Sequence, residues 1–192
     1  LPKAETVDIQ HCFEWVRGCI TQYARSDMRI VLEPIGAAIC RHVITDRQWL
    51  LENLLCLASN SVKYIGDSGE VRFRVGLEAV TPATAGDSSE QSSVEVSRSS
   101  NFTHALRFEV EDNGVGIPEE KMVTLFQPFR QAQRNAGGTG LGLFALANRS
   151  VAIGGTYGVS KRRDGRPGVV FWFTIPYRPD NTISVVENNG SD

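Results

Sequence analysis

Gly137-Gly138-Thr139-Gly140-Leu141-Gly142-Leu143 opens a predicted helix over 141–153. Glycines clustered ahead of a helix leave backbone N–H groups exposed at the positive end of the helix dipole, an arrangement that cradles phosphate. An ordinary glycine-rich turn is the other reading of the same residues. The spacing excludes three phosphate-binding loops. It is GxGxG with no parallel βαβ unit around it, so it is not the dinucleotide fingerprint. No Lys-Ser/Thr follows, as a P-loop requires, and no V-A-I-K strand lies downstream, as in the protein-kinase glycine loop.

Upstream lies Val110-Glu111-Asp112-Asn113-Gly114-Val115-Gly116-Ile117-Pro118. It sets an acidic residue at the end of a predicted strand, followed by two glycines that let the backbone turn close to a ligand. A plain Asn-Gly turn braced by Asp112 is the alternative. Further upstream, Ala58-Ser59-Asn60-Ser61-Val62-Lys63-Tyr64 ends a leucine-rich helix. Asn60 and Lys63, three apart, share a helix face. One supplies a neutral oxygen suited to Mg²⁺, the other a charge suited to phosphate. A solvated polar last turn is the competing reading.

The rest of the chain frames these segments. Ile9, Phe13, Val16, Ile20 and Tyr23 recur at offsets 0, 4, 7, 11 and 14, predicting an amphipathic helix over 8–23 with Asp8 as a plausible cap. Short strands are predicted over 29–33 and 39–44, broken by Pro34 and Gly36. A second helix runs from Thr45 or Asp46 to Tyr64, and its broad apolar face should lie on a sheet: Leu50, Leu51, Leu54, Leu55, Leu57, Ala58 and Val62. Residues 71–80 alternate as a half-exposed strand with 105–111 as partner, and 81–101 between them is polar and small enough to read as a flexible hairpin insertion. A short helix over 119–126 and strands over 156–161 and 169–175 complete the pattern, ahead of a polar, frayed tail after Pro179. Strands in neighbouring pairs and separate long helices predict an α+β two-layer sandwich, with helices on one face of a mixed, mainly antiparallel sheet.

Composition sets the limits. The 192 residues suit one domain, and 41% apolar with 22% charged residues excludes wholesale disorder and fibrous classes. A net charge of −2 provides no general attraction for nucleic acid or anionic membrane. Cys12, Cys19, Cys40 and Cys56 include no CxxC pair and read as reduced, buried thiols of a cytoplasmic setting. No run of eighteen apolar residues occurs, and a start at Leu1 suggests a fragment whose parent can be membrane-anchored.

Taken together, Asn60 in a leucine-rich helix, Asp-x-Gly-x-Gly after a strand, and Gly-Thr-Gly-Leu-Gly before a helix resemble the GHKL nucleotide-binding superfamily. Gyrase, heat-shock chaperones, histidine kinases and mismatch-repair ATPases are its members. Leu125-Phe126-Gln127-Pro128-Phe129, between the glycine segments, is similar to the phenylalanine box of the histidine kinases. The resemblance covers residues 8–177 and implies a Bergerat-type ATP-binding domain over 1–179, with 180–192 as tail.

By that resemblance Asp112 accepts the adenine amine, in a turn with Gly114, Gly116 and Ile117 that lets the base approach the backbone. Asn60 ligates the Mg²⁺ bridging the ATP phosphates, Lys63 lies near those phosphates and Tyr64 beside the purine. Gly138, Gly140 and Gly142 present backbone donors, with Thr139 assisting and Leu141 in the same loop. Phe126 and Phe129 anchor a lid in which Arg130 and Arg134 neutralise the γ-phosphate during transfer. Core packing for the phenylalanines, and solvated loop charges for the arginines, are the plainer readings.

One position departs from the family. ATP-hydrolysing members place Glu one helical turn before the metal-binding Asn, and histidine kinases usually place Asn there; this chain has Cys56. A thiol is no carboxylate base, Glu52 lies a further turn back, and Asn53 is seven residues from Asn60 instead of four, so gyrase-type hydrolysis is disfavoured. His11, His42 and His104 lack a phosphoacceptor context. The implied function is transfer of the ATP γ-phosphoryl group to a histidine on acceptor helices of a homodimeric parent, and onward to a response-regulator receiver domain. A degenerate ATP-sensing or scaffolding module is the alternative.

Overall fold

The computed structural model describes residues 2–24, 27–65, 69–80, 102–128 and 140–183. A short strand β1 (Glu5–Asp8) leads directly into helix α1 (Ile9–Thr21), whose N-cap Asp8 accepts from the His11 N–H at 3.1 Å. β2 (Arg29–Leu32) and β3 (His42–Thr45) precede the long helix α2 (Arg47–Tyr64). Asp46 caps α2 by accepting from the Trp49 N–H at 2.8 Å. The chain continues through β4 (Glu70–Ala79), β5 (His104–Asp112), a single turn α3 (Glu119–Met122), α4 (Gly142–Ala152), β6 (Tyr157–Lys161) and β7 (Val169–Pro176).

The main sheet has the order β2-β4-β5-β7-β6. β2 runs parallel to β4 and every other neighbour is antiparallel. β5 therefore lies at the centre, flanked on both sides by long ladders. Alternate residues of these strands face the helices: Val71, Phe73 and Val75, then Leu106, Phe108 and Val110, then Phe171, Phe173 and Ile175, all buried. Phe13 of α1 meets this surface edge-on against Phe108 at 6.0 Å and tilted against Phe73 at 5.8 Å. Phe108 and Phe173 stack at 5.2 Å across adjacent strands. The two-layer α+β architecture expected from strand pairing is thus present, with the mixed character supplied by β2.

Several expectations are corrected. β1 was not anticipated; it pairs antiparallel with β3 in a separate two-stranded ribbon. Helix α1 ends at Thr21, leaving Tyr23 78% exposed instead of on the buried face. The second strand begins at His42, not residue 39, and the helix expected over 119–126 is one turn followed by turn structure. On α2 the buried face includes Asn53 and Ser61, while Leu51 and Leu55 pack against the core only partly buried, beside half-exposed Trp15. Of the four free cysteines only Cys12 is fully buried. Asp180 is not frayed: its N–H donates to the His42 carbonyl at 2.9 Å, and its carboxylate accepts from Thr6. The insertion at 81–101 and the tail beyond residue 183 lie outside the described residues.

Candidate functional site

The site gathers where β5 ends against the last turn of α2. Asp112 is the final residue of β5, opposite Val71 and Val169, and its register turns the side chain toward the helix layer. It is 1% exposed. One carboxylate oxygen, Oδ1, accepts from the Gly114 N–H at 3.0 Å, while the other, Oδ2, has no hydrogen-bond partner. Ser61, fully buried on α2, also keeps an unpartnered hydroxyl. Burial pushes the Asp112 carboxyl above its ordinary range. The Gly114 N–H, the Ser61 hydroxyl, the Val169 backbone and the Arg162 charge offset part of that rise, yet none gives Oδ2 a hydrogen bond of good geometry. An unpaired buried carboxylate oxygen costs free energy in the isolated fold and fits a donor supplied from outside.

The turn after Asp112 is built for close approach. A Cβ at Gly114 would stand 2.6 Å from the Tyr64 carbonyl oxygen, so only glycine lets this turn press against the end of α2. From behind, Gly168 at φ +124° brings the β6–β7 hairpin so near that a Cβ would overlap the Asp112 carbonyl. Ile117 is buried and joins the main core. Gly116, at φ +79°, completes the turn.

Asn60 lies half-buried one turn before Tyr64, its amide nitrogen 3.9 Å from the Cys56 sulfur. Tyr64 packs against the core, and burial raises its phenol. Lys63 is exposed on the same turn. Burial pushes the Cys56 thiol up to about 11, against weaker opposing pulls from Arg149 and Lys63, so it stays protonated at neutral pH. Neither a base nor a metal-binding thiolate stands one turn before Asn60.

Helix α4 starts at Gly142 after Leu141, which provides no side-chain cap. The first α4 bond closes from the Ala145 N–H to the Leu141 carbonyl. Gly142, Leu143 and Phe144 therefore carry first-turn N–H groups without intrahelical acceptors. Leu143 and Phe144 were not anticipated as donors; their backbone position, not their side chains, makes them so. Gly140 adopts φ +70° just before. Phe126 packs on Tyr157 of β6, ring centroids 4.7 Å apart. Phe129, Arg130, Arg134, Gly138 and Thr139 lie outside the described residues. Among the described residues no three His, Cys, Asp or Glu side chains form a ready metal cluster.

Residues 45–179 match the family of histidine kinase-, DNA gyrase B- and HSP90-like ATPases. The chain belongs to this family. The hybrid signal transduction protein dokA of Dictyostelium discoideum is 36% identical over 138 residues, 69% of this chain and 7% of dokA. The sensor histidine kinase AruS of Pseudomonas aeruginosa is 38% identical over 133 residues, 67% of this chain and 11% of AruS. This ATPase-family domain thus spans a small fraction of the length of these relatives. Among solved structures, the mycobacterial sensor histidine kinase MprB superposes with a TM-score of 0.66 at 22% identity, covering 92% of this chain and all of that one. Full-length ShkA, solved with AMPPNP, gives 0.68 at 24% identity over 93% of this chain and 32% of that one. The fold is that of the histidine kinase catalytic domains. No helix among the described residues is long and apolar enough to cross a membrane.

Proposed function

We propose that this chain binds ATP with Mg²⁺ and presents the γ-phosphoryl group to a histidine carried elsewhere in its parent, as the catalytic domain of a histidine kinase. The observation that carries the reading is Asp112 Oδ2, a buried acceptor without a donor, at the end of β5, whose following turn lies against the last turn of the helix that bears Asn60. The adenine exocyclic amine is the donor that fits it, with Gly114, Gly116 and Ile117 lining the base and Tyr64 at its edge. Asn60 supplies the protein oxygen for Mg²⁺, whose charge would neutralise the phosphates. Lys63 and the free N–H groups at the start of α4 face the phosphate tail, with Gly138, Thr139 and Gly140 leading into that helix. Arg130 and Arg134 are assigned to the transferring phosphoryl group, and Phe129 with Phe126 to holding their segment.

Transfer forms a bond from an imidazole nitrogen to the γ-phosphorus while the bridging oxygen leaves with ADP. Positioning and charge neutralisation supply most of the catalysis in such a step. Cys56, a neutral thiol, activates no water, which favours transfer over hydrolysis. The same residue motivates the second reading, an ATP-sensing or scaffolding module, because it replaces the usual amide beside Asn60. Acceptor helices of a homodimeric parent and a receiver domain are the proposed partners, in the cytoplasm, with residues 1–179 as the domain, 81–101 as an insertion within it and 180–192 as its tail.

The test is direct. Millimolar ADP or ATP with Mg²⁺ should raise the melting temperature, since a ligand binding only the folded state stabilises it. Labelled γ-phosphate should reach a supplied acceptor helix pair but none of His11, His42 and His104. Absence of any thermal shift contradicts the nucleotide reading; binding without transfer to a competent acceptor selects the sensing module.

A further inference from the structure

A polar clamp joins α2 to α4 away from the nucleotide groups. Arg149, in the last turn of α4, donates from Nε to the Asn53 side-chain oxygen at 2.8 Å and pairs through Nη1 with Glu52 at 3.0 Å. The Asn53 amide in turn reaches the Ser150 hydroxyl at 3.5 Å. Asn53 and Ser150 are almost completely buried. At the other end of the pair, a Cβ on Gly142 would stand 3.2 Å from the Cys56 sulfur. Contacts 142 to 56 and 149–150 to 52–53 mean that the two helices run antiparallel. The first turn of α4 is thereby held one helical turn from Asn60.

Two helices in apolar contact can slide by fractions of a turn at little cost, because hydrophobic burial is non-directional. A guanidinium fork gripping two consecutive residues is directional and fixes the axial register. Asn53 is seven residues before Asn60, about two turns, so any shift of α4 at Asn53 is repeated at Asn60. We propose that Arg149, Asn53 and Glu52 are positioning residues for the triphosphate: they set the free N–H groups of Gly142, Leu143 and Phe144 at the distance from Asn60 that a metal-bound phosphate tail requires. The adenine subsite at Asp112 is built by β5, its turn and the last turn of α2, about two turns from the clamp at Glu52 and Asn53, and does not involve the first turn of α4. The inference rests on the ATP-binding reading above.

Calorimetric titration of the whole chain with Mg-ATP and, separately, with adenosine tests it. Arg149→Met should weaken ATP about tenfold, the scale of one misaligned hydrogen bond to a charged group, and leave adenosine within about twofold. Arg149→Lys, which keeps the charge opposite Glu52 but not the fork, should fall between. Glu52→Gln, at a half-exposed position that leaves the fold intact, should weaken ATP about threefold and adenosine not at all. Unchanged ATP affinity in Arg149→Met or Glu52→Gln overturns the inference, as does an equal loss of ATP and adenosine, which marks a purely structural contact. A wild-type chain that binds neither ligand overturns the ATP reading itself, a separate outcome.

Discussion

Glu109 and Asp112 lie three residues apart on the central strand, both buried, and the fold treats them in opposite ways. Glu109 points to the face away from the helices and is 4% exposed. Its Oε1 accepts from Arg107 Nε at 2.8 Å and Arg163 Nη2 at 3.0 Å, and its Oε2 from Arg74 Nη1 at 3.2 Å. Arg107 also stacks over Trp172 at 3.9 Å, while Arg74 is shared with Glu33, the residue just after β2. Asp112 points to the helix layer, with one oxygen on a neighbouring N–H and the other on nothing. A buried carboxylate whose lone pairs are filled by its own fold is part of the structure. One left half-filled is kept for something the chain does not contain.

The largest expected effect breaks the structural partner. Glu109→Leu removes the acceptor shared by three guanidinium groups, leaving Arg74 with Glu33 and Arg107 with Glu78, and should destabilise by about 3 kcal/mol, the low end for a broken buried pair because the arginines keep solvent contact and these other partners. Thermal unfolding should then drop by about 6–12 °C, with ATP affinity per folded molecule unchanged. A fall in ATP affinity as large as that from any Asp112 change would erase the distinction.

Asp112→Ala comes next and should show the reverse: a loss of about 1.5–3 kcal/mol in adenine-nucleotide binding, roughly 10- to 100-fold in Kd. Normal ATP binding by the folded variant makes Asp112 a turn brace only.

How much of this was legible follows from what each feature depends on. Asp112 could be found because an acid at a strand end before Gly-x-Gly is a local pattern, as is the Asp8 cap. The Glu109 cluster could not. Alternation assigns Arg74, Arg107 and Glu109 to one face, but which arginine reaches which oxygen depends on β4 pairing with β5 and on a hairpin 54 residues downstream. β1 was missed for the same reason: four residues with only Val7 buried carry no periodicity, and their strand exists through pairing with β3. Leucines all around α2 concealed which side meets the sheet, so fully buried Asn53 and Ser61 and only partly buried Leu51 and Leu55 emerged only from packing. The Arg149 clamp joins residues 96 apart.

A smaller effect sharpens the contrast. Asp112→Asn removes the buried charge and should raise stability, at a pH where the wild-type carboxyl is ionised, by about 1 kcal/mol, or 2–4 °C, while ATP binding falls. The sign follows from the raised carboxyl. Between the ordinary value of 3.8 and the higher folded value, the folded chain holds more protons than the unfolded one, so wild-type stability falls as pH rises through that window. The advantage of Asp112→Asn should therefore be full above the raised folded value and vanish below pH 3.8, where the wild-type carboxyl is protonated in both states. A constant advantage across that range contradicts the buried-charge account. Least of all, Arg163→Ala should change stability by no more than about 0.5 kcal/mol, because its side chain is 71% exposed and Glu109 keeps two other arginines.

The central claim, that Asp112 Oδ2 waits for the adenine amine, is tested most directly without any mutation. ATP and inosine triphosphate differ at position 6 of the purine, where a donor amine is replaced by a carbonyl that would face the carboxylate. Titrated with Mg²⁺ under identical conditions, ATP should bind at least about tenfold more tightly. Equal affinities would mean that the buried oxygen reads nothing on the base.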